Sequence, residues 1–321
     1  MKRALICGVL GQDGSYLADL LINKGYEVWG TSRDAQMANM ANHKTLGIVG
    51  KVNLISMAQT DFRSVLNCLT KSQPDEIYFL SGQSSVGLSF EQPVETIEST
   101  TIGVLNLLEA VRFIGREIKV YHASSSECFG DVGENRADEV TSFHPRSPYG
   151  VAKASAHMLV ANYREAYGLF ASNGILFNHE SPLRPERFVT QKIISTACRI
   201  AAGIDEKLCL GRLDIVRDWG WAPEYVDAMW RILQADVPDD ILIATGVSHS
   251  LEYFVSTAFD LVGLEWQKYV ITDKNLFRPS EISFSYANPD KALEKLGWKA
   301  VVGIEKIIEN MISFERERHV F

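Results

Sequence analysis

Two hydrophobic periods alternate along the first half of the chain. Short apolar runs, typical of strands buried in a parallel sheet, are separated by stretches with the helical period of apolar positions. The predicted strands occupy residues 3–8, 26–30, 52–57, 77–80 and 118–123. The predicted helices include residues 17–22, 61–69, 97–114 and 149–167, of which 97–114 is a long crossover helix. This order predicts an α/β fold of the Rossmann type, with a doubly wound parallel sheet.

The second half of the chain is less regular. It predicts strands at residues 174–177, 207–210 and 241–245, and helices at 188–201, 222–235, 251–262 and 302–318. Residues 217–221 are predicted to be a turn, and the polar segment 34–50 shows no clear period. Because no flexible linker or repeat separates the halves, we expect a first domain at 1–172 and a smaller, intimately packed lobe at 173–321.

Composition excludes several classes of protein. The 321 residues carry a formal net charge of −8, which argues against a general nucleic-acid binder. No apolar run approaches the roughly 20 residues that a membrane span requires. The N-terminus is interpreted as a buried strand and not as a signal peptide, because glycines and an aspartate interrupt it at once. Five scattered cysteines fit neither a disulfide framework nor a metal site, so we expect a cytoplasmic protein without a metal.

A glycine-rich loop joins the first strand to the first helix. Such a loop lets the backbone approach a pyrophosphate, and the helix N-terminus then offers free N–H groups to the phosphates. The predicted dinucleotide-binding residues of this loop are Gly8, Gly11, Gln12, Asp13 and Gly14. The first domain is therefore predicted to bind a dinucleotide.

Two residues after the second strand bear on the choice of dinucleotide. Arg33 suits the 2′-phosphate of NADP, whereas Asp34 could hold the ribose 2′-hydroxyl of NAD. We favour NADP and keep NAD as the alternative. The small, polar segment that follows the fourth strand, residues 80–87, would let the backbone approach a ligand at the same sheet edge.

Residues 124–153 contain a set of side chains suited to proton transfer. Ser125 and Glu127 follow the apolar strand 118–123, and Tyr149 and Lys153 lie one helical turn apart. A nearby ammonium favours the phenolate, so we expect Lys153 to lower the pKa of Tyr149. A Ser-x-Glu or a Tyr-x-x-x-Lys pattern alone often occurs by chance. Because both follow a dinucleotide motif in this order, the four residues predict a catalytic site.

The chain resembles the extended short-chain dehydrogenases/reductases, and within them the GDP-mannose 4,6-dehydratases. The resemblance is carried by residues 11–17, 124–127, 146–153, 162–170, 174–182, 217–220, 244–246 and 277–279. It implies C4 oxidation of GDP-mannose, elimination of water across C5 and C6, and return of the hydride to C6. It further implies a homodimer formed through residues 97–114 and 152–167, with a homotetramer as the alternative.

The resemblance also implies roles for individual residues. Tyr149 would be the C4 base, Lys153 would assist it and bind the nicotinamide ribose, Ser125 would hold the C4 oxygen, and Glu127 would serve at C5 and C6. Further cofactor contacts are implied at Leu80, Ser84, His179 and Arg184. Contacts with the nucleotide sugar are implied at Ser85, Asn178, Lys192, Arg217, Arg278 and Glu281.

Several positions depart from the family pattern. Serine replaces the usual threonine at Ser125, one arginine precedes Asp34 instead of two, and residues 57–59 lack the usual Gly-Asp-Leu. Three other activities therefore stay open. They are a GDP-4-keto-6-deoxy-sugar reductase, a nucleotide-sugar 4-epimerase, and a nucleotide-binding partner protein without catalysis.

Overall fold

The computed structural model describes residues 1–318. Its strands, in chain order, are β1 Arg3–Cys7, β2 Glu27–Ser32, β3 Asn53–Ser56, β4 Glu76–Phe79, β5 Lys119–Ser125, β6 Ala171–Leu176, β7 Asn178–Glu180, β8 Leu208–Leu210, β9 Val216–Trp221, β10 Asp240–Ile243, β11 Ser248–Ser250 and β12 Val270–Thr272.

The helices are α1 Gln12–Asn23, α2 Ala41–Thr45, α3 Phe62–Ser72, α4 Val86–Glu91, α5 Pro93–Ile97, α6 Gly103–Ile114, α7 Pro148–Tyr167, α8 Val189–Ala201, α9 Ala222–Gln234, α10 Leu251–Leu261, α11 Asp290–Leu296 and α12 Ile304–Arg318. Within residues 1–318, no helix is long and apolar enough to cross a membrane.

Seven strands form one parallel sheet in the order β10-β6-β5-β4-β1-β2-β3. The strand order reverses between β1 and β4, and a ligand crevice forms at such a switch point, outside the carboxyl ends of the strands. The predicted doubly wound fold is confirmed. Three parts of the predicted site lie at this edge. They are the glycine loop after β1, residues 80–85 after β4, and Ser125 at the end of β5.

Helices cover both faces of the sheet, as buried parallel strands require. On one face the apolar cluster includes Leu17 and Leu21 from α1 and Met229 from α9. On the other face α3, α6 and α7 contribute Val65, Leu108 and others. A separate apolar cluster joins α8, α10 and α12 beside the sheet.

A three-stranded sheet of order β11-β9-β7 lies outside the main sheet. It corrects one prediction, because residues 217–221 belong to strand β9 and are not a turn. Arg217 and Asp218 made the segment look like a surface turn. Both are buried, because their partners Glu281 and Thr245 come from distant parts of the chain.

Two further departures concern helices. The predicted crossover helix does not run regularly from residue 97, since a π-helical turn at Glu98–Ile102 precedes α6. The segment 34–50, which showed no period, contains the short helix α2. From α2, Asn42 donates to the Leu10 carbonyl at 3.0 Å and His43 contacts the Val9 carbonyl at 3.1 Å, so the segment covers the glycine loop.

Candidate active site

The end of β5 fixes Ser125 and Glu127 together. The Ser125 hydroxyl accepts a hydrogen bond from the Glu127 backbone N–H at 3.2 Å, capping the single 3₁₀ turn Ser126–Cys128. This local cap follows from a serine placed directly before a turn, a position that serine favours. It fixes the backbone of Glu127 beside the Ser125 hydroxyl.

Helix α7 begins where it can present Tyr149 to this pair. Ser147 caps the helix by accepting from the Gly150 N–H at 3.0 Å, and Pro148 occupies its first turn. A side chain at Gly150 would lie 2.7 Å from the Glu127 carbonyl oxygen. Glycine therefore allows the first turn of α7 to rest directly on Glu127.

The pKa of Tyr149 is raised and not lowered in this structure, so the prediction of a lowered pKa is wrong. Burial raises the pKa of Tyr149, and a hydrogen bond with Ser125 opposes the rise. The Lys153 ammonium instead donates to the Ala123 carbonyl at 2.7 Å. Burial lowers the pKa of Lys153 to about 8. The lysine is thus held against strand β5, next to Ser125.

Glu127 faces both the phenol and the second half of the chain. Burial raises the pKa of its carboxyl, whereas the cations Arg217 and Arg278 lower it and Glu281 raises it. The Glu127 charge in turn raises the pKa of Tyr149. The carboxyl group is therefore coupled electrostatically both to the tyrosine and to the arginines.

The two arginines share one carboxylate oxygen. Oε1 of Glu281 lies 3.1 Å from an Nη of Arg217 and 3.2 Å from an Nη of Arg278. The Arg217 side chain is 6% exposed and that of Arg278 is 33% exposed. Paired guanidinium groups of this kind suit a diphosphate, which each can bind through two hydrogen bonds.

The glycine loop has the shape that a dinucleotide requires. No side chain caps the N-terminus of α1, and a side chain at Gly14 would overlap the Gly8 carbonyl. In the described chain, the buried hydroxyls of Ser81 and Thr100 have no hydrogen-bond partner. Ser81 abuts Gly8 and Thr100 abuts Gly82, so both hydroxyls border the loops at this sheet edge. The residues present fit a nicotinamide dinucleotide.

Residues 178–182 interlock with the glycine loop. The Gln12 side chain donates to the His179 carbonyl at 3.2 Å and accepts from the Ser181 hydroxyl at 2.8 Å. The His179 ring contacts the Asp13 carboxylate at 2.9 Å. Arg184 lies close enough to help lower the pKa of Asp13 and of Tyr149. The cofactor loop and the start of the second lobe thus form one connected structure.

The remaining predicted cofactor residues border the same edge. Arg33 and Ser84 are exposed and Leu80 is half-buried. Ser85 caps α4 by accepting from the Leu88 N–H at 3.3 Å. The Asp34 carboxylate accepts from two N–H groups of its own turn, at 2.9 and 3.1 Å.

The chain is similar over nearly its whole length to known proteins of one family. A family model described as GDP-mannose 4,6 dehydratase matches residues 5–311. GDP-mannose 4,6 dehydratase 2 of Arabidopsis thaliana is 45% identical over 98% of this chain and 87% of its own length. The chain belongs to the GDP-mannose 4,6-dehydratase family. The Homo sapiens GDP-mannose 4,6 dehydratase is 41% identical over 98% of this chain and 91% of its own. Among solved structures, the chain is similar to UDP-glucose 4-epimerase of Thermus thermophilus in complex with NAD, with a TM-score of 0.86 and 25% identity. The alignment covers 98% of this chain and 99% of that one.

Two predicted substrate residues, Lys192 and Asn178, have hydrogen-bond partners other than the arginine pair. In this dehydratase-family chain, the Lys192 ammonium donates to the Cys209 carbonyl at 2.7 Å. Asn178 begins β7, and its backbone pairs with Trp219, two residues beyond Arg217. Asn178 therefore borders the arginines through β9, whereas the Lys192 ammonium is bound to β8.

Sequence reasoning missed a buried polar network beneath β5. The Asp240 carboxylate accepts from Arg164 at 2.9 Å and from Asn173 at 2.8 Å, and it lies 3.4 Å from His157. His157 reaches the Ser124 hydroxyl at 3.1 Å. These residues are scattered over several elements, and no spacing in the sequence links them.

Proposed function

We propose that this protein is a GDP-mannose 4,6-dehydratase, converting GDP-mannose to GDP-4-keto-6-deoxymannose. The observation that carries the proposal is the position of Glu127. Its backbone N–H is bound by Ser125, and its carbonyl oxygen lies against Gly150, the neighbour of Tyr149. Its charge acts on Tyr149, and both arginines act on its carboxyl. The family to which the chain belongs supplies the substrate, since its relatives carry GDP-mannose in their names.

In this proposal the protein groups handle the protons. Tyr149 takes the proton of the C4 hydroxyl, while the Ser125 hydroxyl holds the C4 oxygen. A bound nicotinamide would supply the hydride acceptor for C4 and return the hydride to C6, so the overall reaction involves no net oxidation. Oxidation at C4 acidifies the C5 hydrogen, because the resulting carbanion is an enolate.

Glu127 acts twice in the proposed mechanism. As a carboxylate it removes the C5 proton, and as a carboxylic acid it gives that proton to the departing C6 hydroxyl, which leaves as water. The raised pKa of its carboxyl, caused by burial, favours this double use because burial stabilises the protonated acid relative to the carboxylate. A reductase or a 4-epimerase has no elimination step and needs no such carboxylate.

For the cofactor we propose NADP. One observation supports it: Arg33 is exposed directly after β2, where a guanidinium can meet a ribose 2′-phosphate. Proposed contacts also include the glycine loop, Leu80, Ser84, His179, Arg184 and Lys153.

For the substrate we propose that Arg217 and Arg278 bind the diphosphate. Glu281 is proposed to accept from the nucleoside, with Asn178, Ser85 and Lys192 as further contacts. The pairing of both arginines with Glu281 supports a site prepared for a doubly charged ligand. Under this proposal, residues 1–172 bind the cofactor and carry catalysis, and residues 173–321 mainly bind the nucleotide sugar.

We further propose a homodimer formed through α6 and α7. Apolar side chains of these helices are exposed in the single chain, including Phe113 at 73% and Met158 at 59%. Apolar side chains exposed along two neighbouring helices suit a contact between copies, with a homotetramer as the alternative.

We propose the cytoplasm as the compartment. The five cysteines are unpaired, which supports it.

The direct test is incubation with GDP-mannose and NADP, followed by mass spectrometry of the nucleotide sugar. The proposal expects a product lighter by one water molecule and no net accumulation of reduced cofactor. A product of unchanged mass with altered stereochemistry would indicate an epimerase. No change with any nucleotide hexose, despite cofactor binding, would indicate the partner protein without catalysis.

A further inference from the structure

Helix α7 meets the end of β5 through a buried side chain that the proposed mechanism does not use. Nδ1 of His157 lies 3.1 Å from the Ser124 hydroxyl oxygen. Ser124 is 3% exposed and His157 is 8% exposed, so water does not compete for this contact. Ser124 directly precedes Ser125, and its hydroxyl also lies 3.8 Å from the Cys128 sulfur. Ser124 and Cys128 therefore flank the short turn that carries the proposed catalytic hydroxyl and carboxyl.

The other nitrogen of the His157 ring faces a carboxylate. Nε2 lies 3.4 Å from Oδ2 of Asp240, which is itself held by two hydrogen bonds of 2.9 Å from Arg164. A carboxylate beside one ring nitrogen favours the tautomer with its proton there, and Nδ1 can then accept from the Ser124 hydroxyl. Phe143 packs edge-on against the ring, with centroids 4.9 Å apart. The ring is thus held in one orientation, as a residue that positions another requires.

Successive turns of α7 hold successive residues of β5. The Lys153 ammonium donates to the Ala123 carbonyl at 2.7 Å. Four residues later in α7, His157 contacts Ser124, the next residue of the strand. Both contacts lie directly before Ser125. Because a shift of about 1 Å in a reacting group can cost about 10²-fold in rate, the alignment of this helix with this strand bears on catalysis.

We propose that His157 is a positioning residue, which acts through Ser124 to hold residues 125–127 beside the catalytic tyrosine during both C4 oxidation and elimination. The inference rests on the proposed dehydratase function. It assigns His157 no contact with the substrate or the cofactor. The Nδ1 contact with Ser124 therefore determines the rate, whereas the Nε2 contact with Asp240 mainly stabilises the fold.

Two substitutions of His157 separate the roles of its ring nitrogens. The amide of asparagine reaches the place of Nδ1 and that of glutamine the place of Nε2, because the two side chains differ by one methylene. His157→Asn should therefore keep kcat within about threefold of the wild type, and His157→Gln should lower it by about tenfold to 100-fold. The KM for GDP-mannose and the affinity for NADPH should stay unchanged in both variants, since the arginine pair and the glycine loop are not altered. A general loss of structure would change all three quantities.

Ser124→Ala removes the same contact from the side of the strand and should lower kcat as much as His157→Gln. Because His157 acts through Ser124 in this proposal, the double variant should be no slower than the slower single variant. Ser195 of α8 supplies a matched control, since it is 1% exposed and its hydroxyl accepts from the Gln191 amide at 3.1 Å. Ser195→Ala also removes a buried hydroxyl bonded to a side chain, and it should leave kcat unchanged.

Three results would overturn the inference alone. Ser124→Ala with the kcat of the wild type would show that the contact does not serve catalysis, and this variant decides the matter even if the His157 variants do not fold. A slow His157→Asn beside a fast His157→Gln would show that the histidine acts through Asp240. A double variant that is slower by the product of the two single losses would show that the residues act independently. Wild-type protein that dehydrates no GDP-mannose would instead overturn the proposed function, and this inference with it.

Discussion

Replacing Glu127 by glutamine should separate the two halves of the proposed reaction. The amide keeps the size of the side chain and its place on the 3₁₀ turn, but it can neither remove the C5 proton nor protonate the C6 hydroxyl. General acid–base catalysis contributes about 10²–10⁴-fold to a rate, or about 3–5 kcal/mol in activation free energy. Because Glu127 would act at both C5 and C6, we expect the dehydration rate to fall by an amount at the upper end of this range, about 10⁴-fold.

Oxidation at C4 should survive the same change. Tyr149, Ser125 and Lys153 keep their contacts, and removing the Glu127 charge removes one influence that raises the pKa of Tyr149. A single-turnover experiment should therefore show absorbance of reduced nicotinamide without formation of dehydrated sugar. Undiminished dehydrated product would refute the role of Glu127. Loss of nicotinamide reduction together with dehydration would show that the carboxyl also serves the first step.

The pH dependence of the wild type provides a second check on Glu127. Removal of the C5 proton requires the carboxylate, so kcat at saturating GDP-mannose should fall as the pH drops through its raised pKa. Arg278 lowers that pKa, and Arg278→Gln should therefore move the acidic limb of the profile to higher pH. A limb that stays in place would indicate that another group controls it.

Three other predictions concern the supports of the site. Gly150→Ala should push the start of α7 off the 3₁₀ turn that carries Glu127, lowering kcat and costing about 1–3 kcal/mol of stability, as measured by denaturant unfolding. Although burial opposes ionisation, His157 and Arg164 hold the pKa of Asp240 well below its usual range. Asp240→Asn should thus cost about 3–5 kcal/mol at neutral pH. Since the folded-state pKa is depressed, this difference should shrink as the pH falls below about 4, the unfolded-state value, and disappear only below the folded-state pKa. Arg33→Ser should raise the Michaelis constant for NADP by about tenfold or more, with that for NAD changed little, and an equal change in both would contradict the NADP assignment.

Local patterns were sufficient for the architecture. The alternation of apolar runs with helical periods predicted the parallel sheet, because buried strands and amphipathic helices each have a distinct spacing. Capping residues were equally readable. Asp61 accepts from the Arg63 N–H at 3.0 Å at the start of α3, a position that aspartate favours.

The candidate site was predicted only in part. Ser125, Glu127, Tyr149 and Lys153 could be grouped because they flank one strand and one helix that are neighbours in the chain. Their electrostatics could not be predicted in the same way. A lysine one turn from a tyrosine suggested a lowered phenol pKa, but burial has the larger effect and the Ala123 carbonyl holds the ammonium.

Contacts between distant residues were decided by the tertiary structure alone. The sequence contained Asp13, His179, Arg217 and Glu281, yet nothing in their spacing pairs residues 166 or 64 positions apart. Strand β9 was missed for the same reason, since its charged residues are buried by partners that only folding brings near. Sequence by itself determined most of the strands and helices of the main sheet, because that choice depends largely on neighbours along the chain. The tertiary structure decided which charges meet and which protons they hold, because those energies depend on burial and on partners from elsewhere.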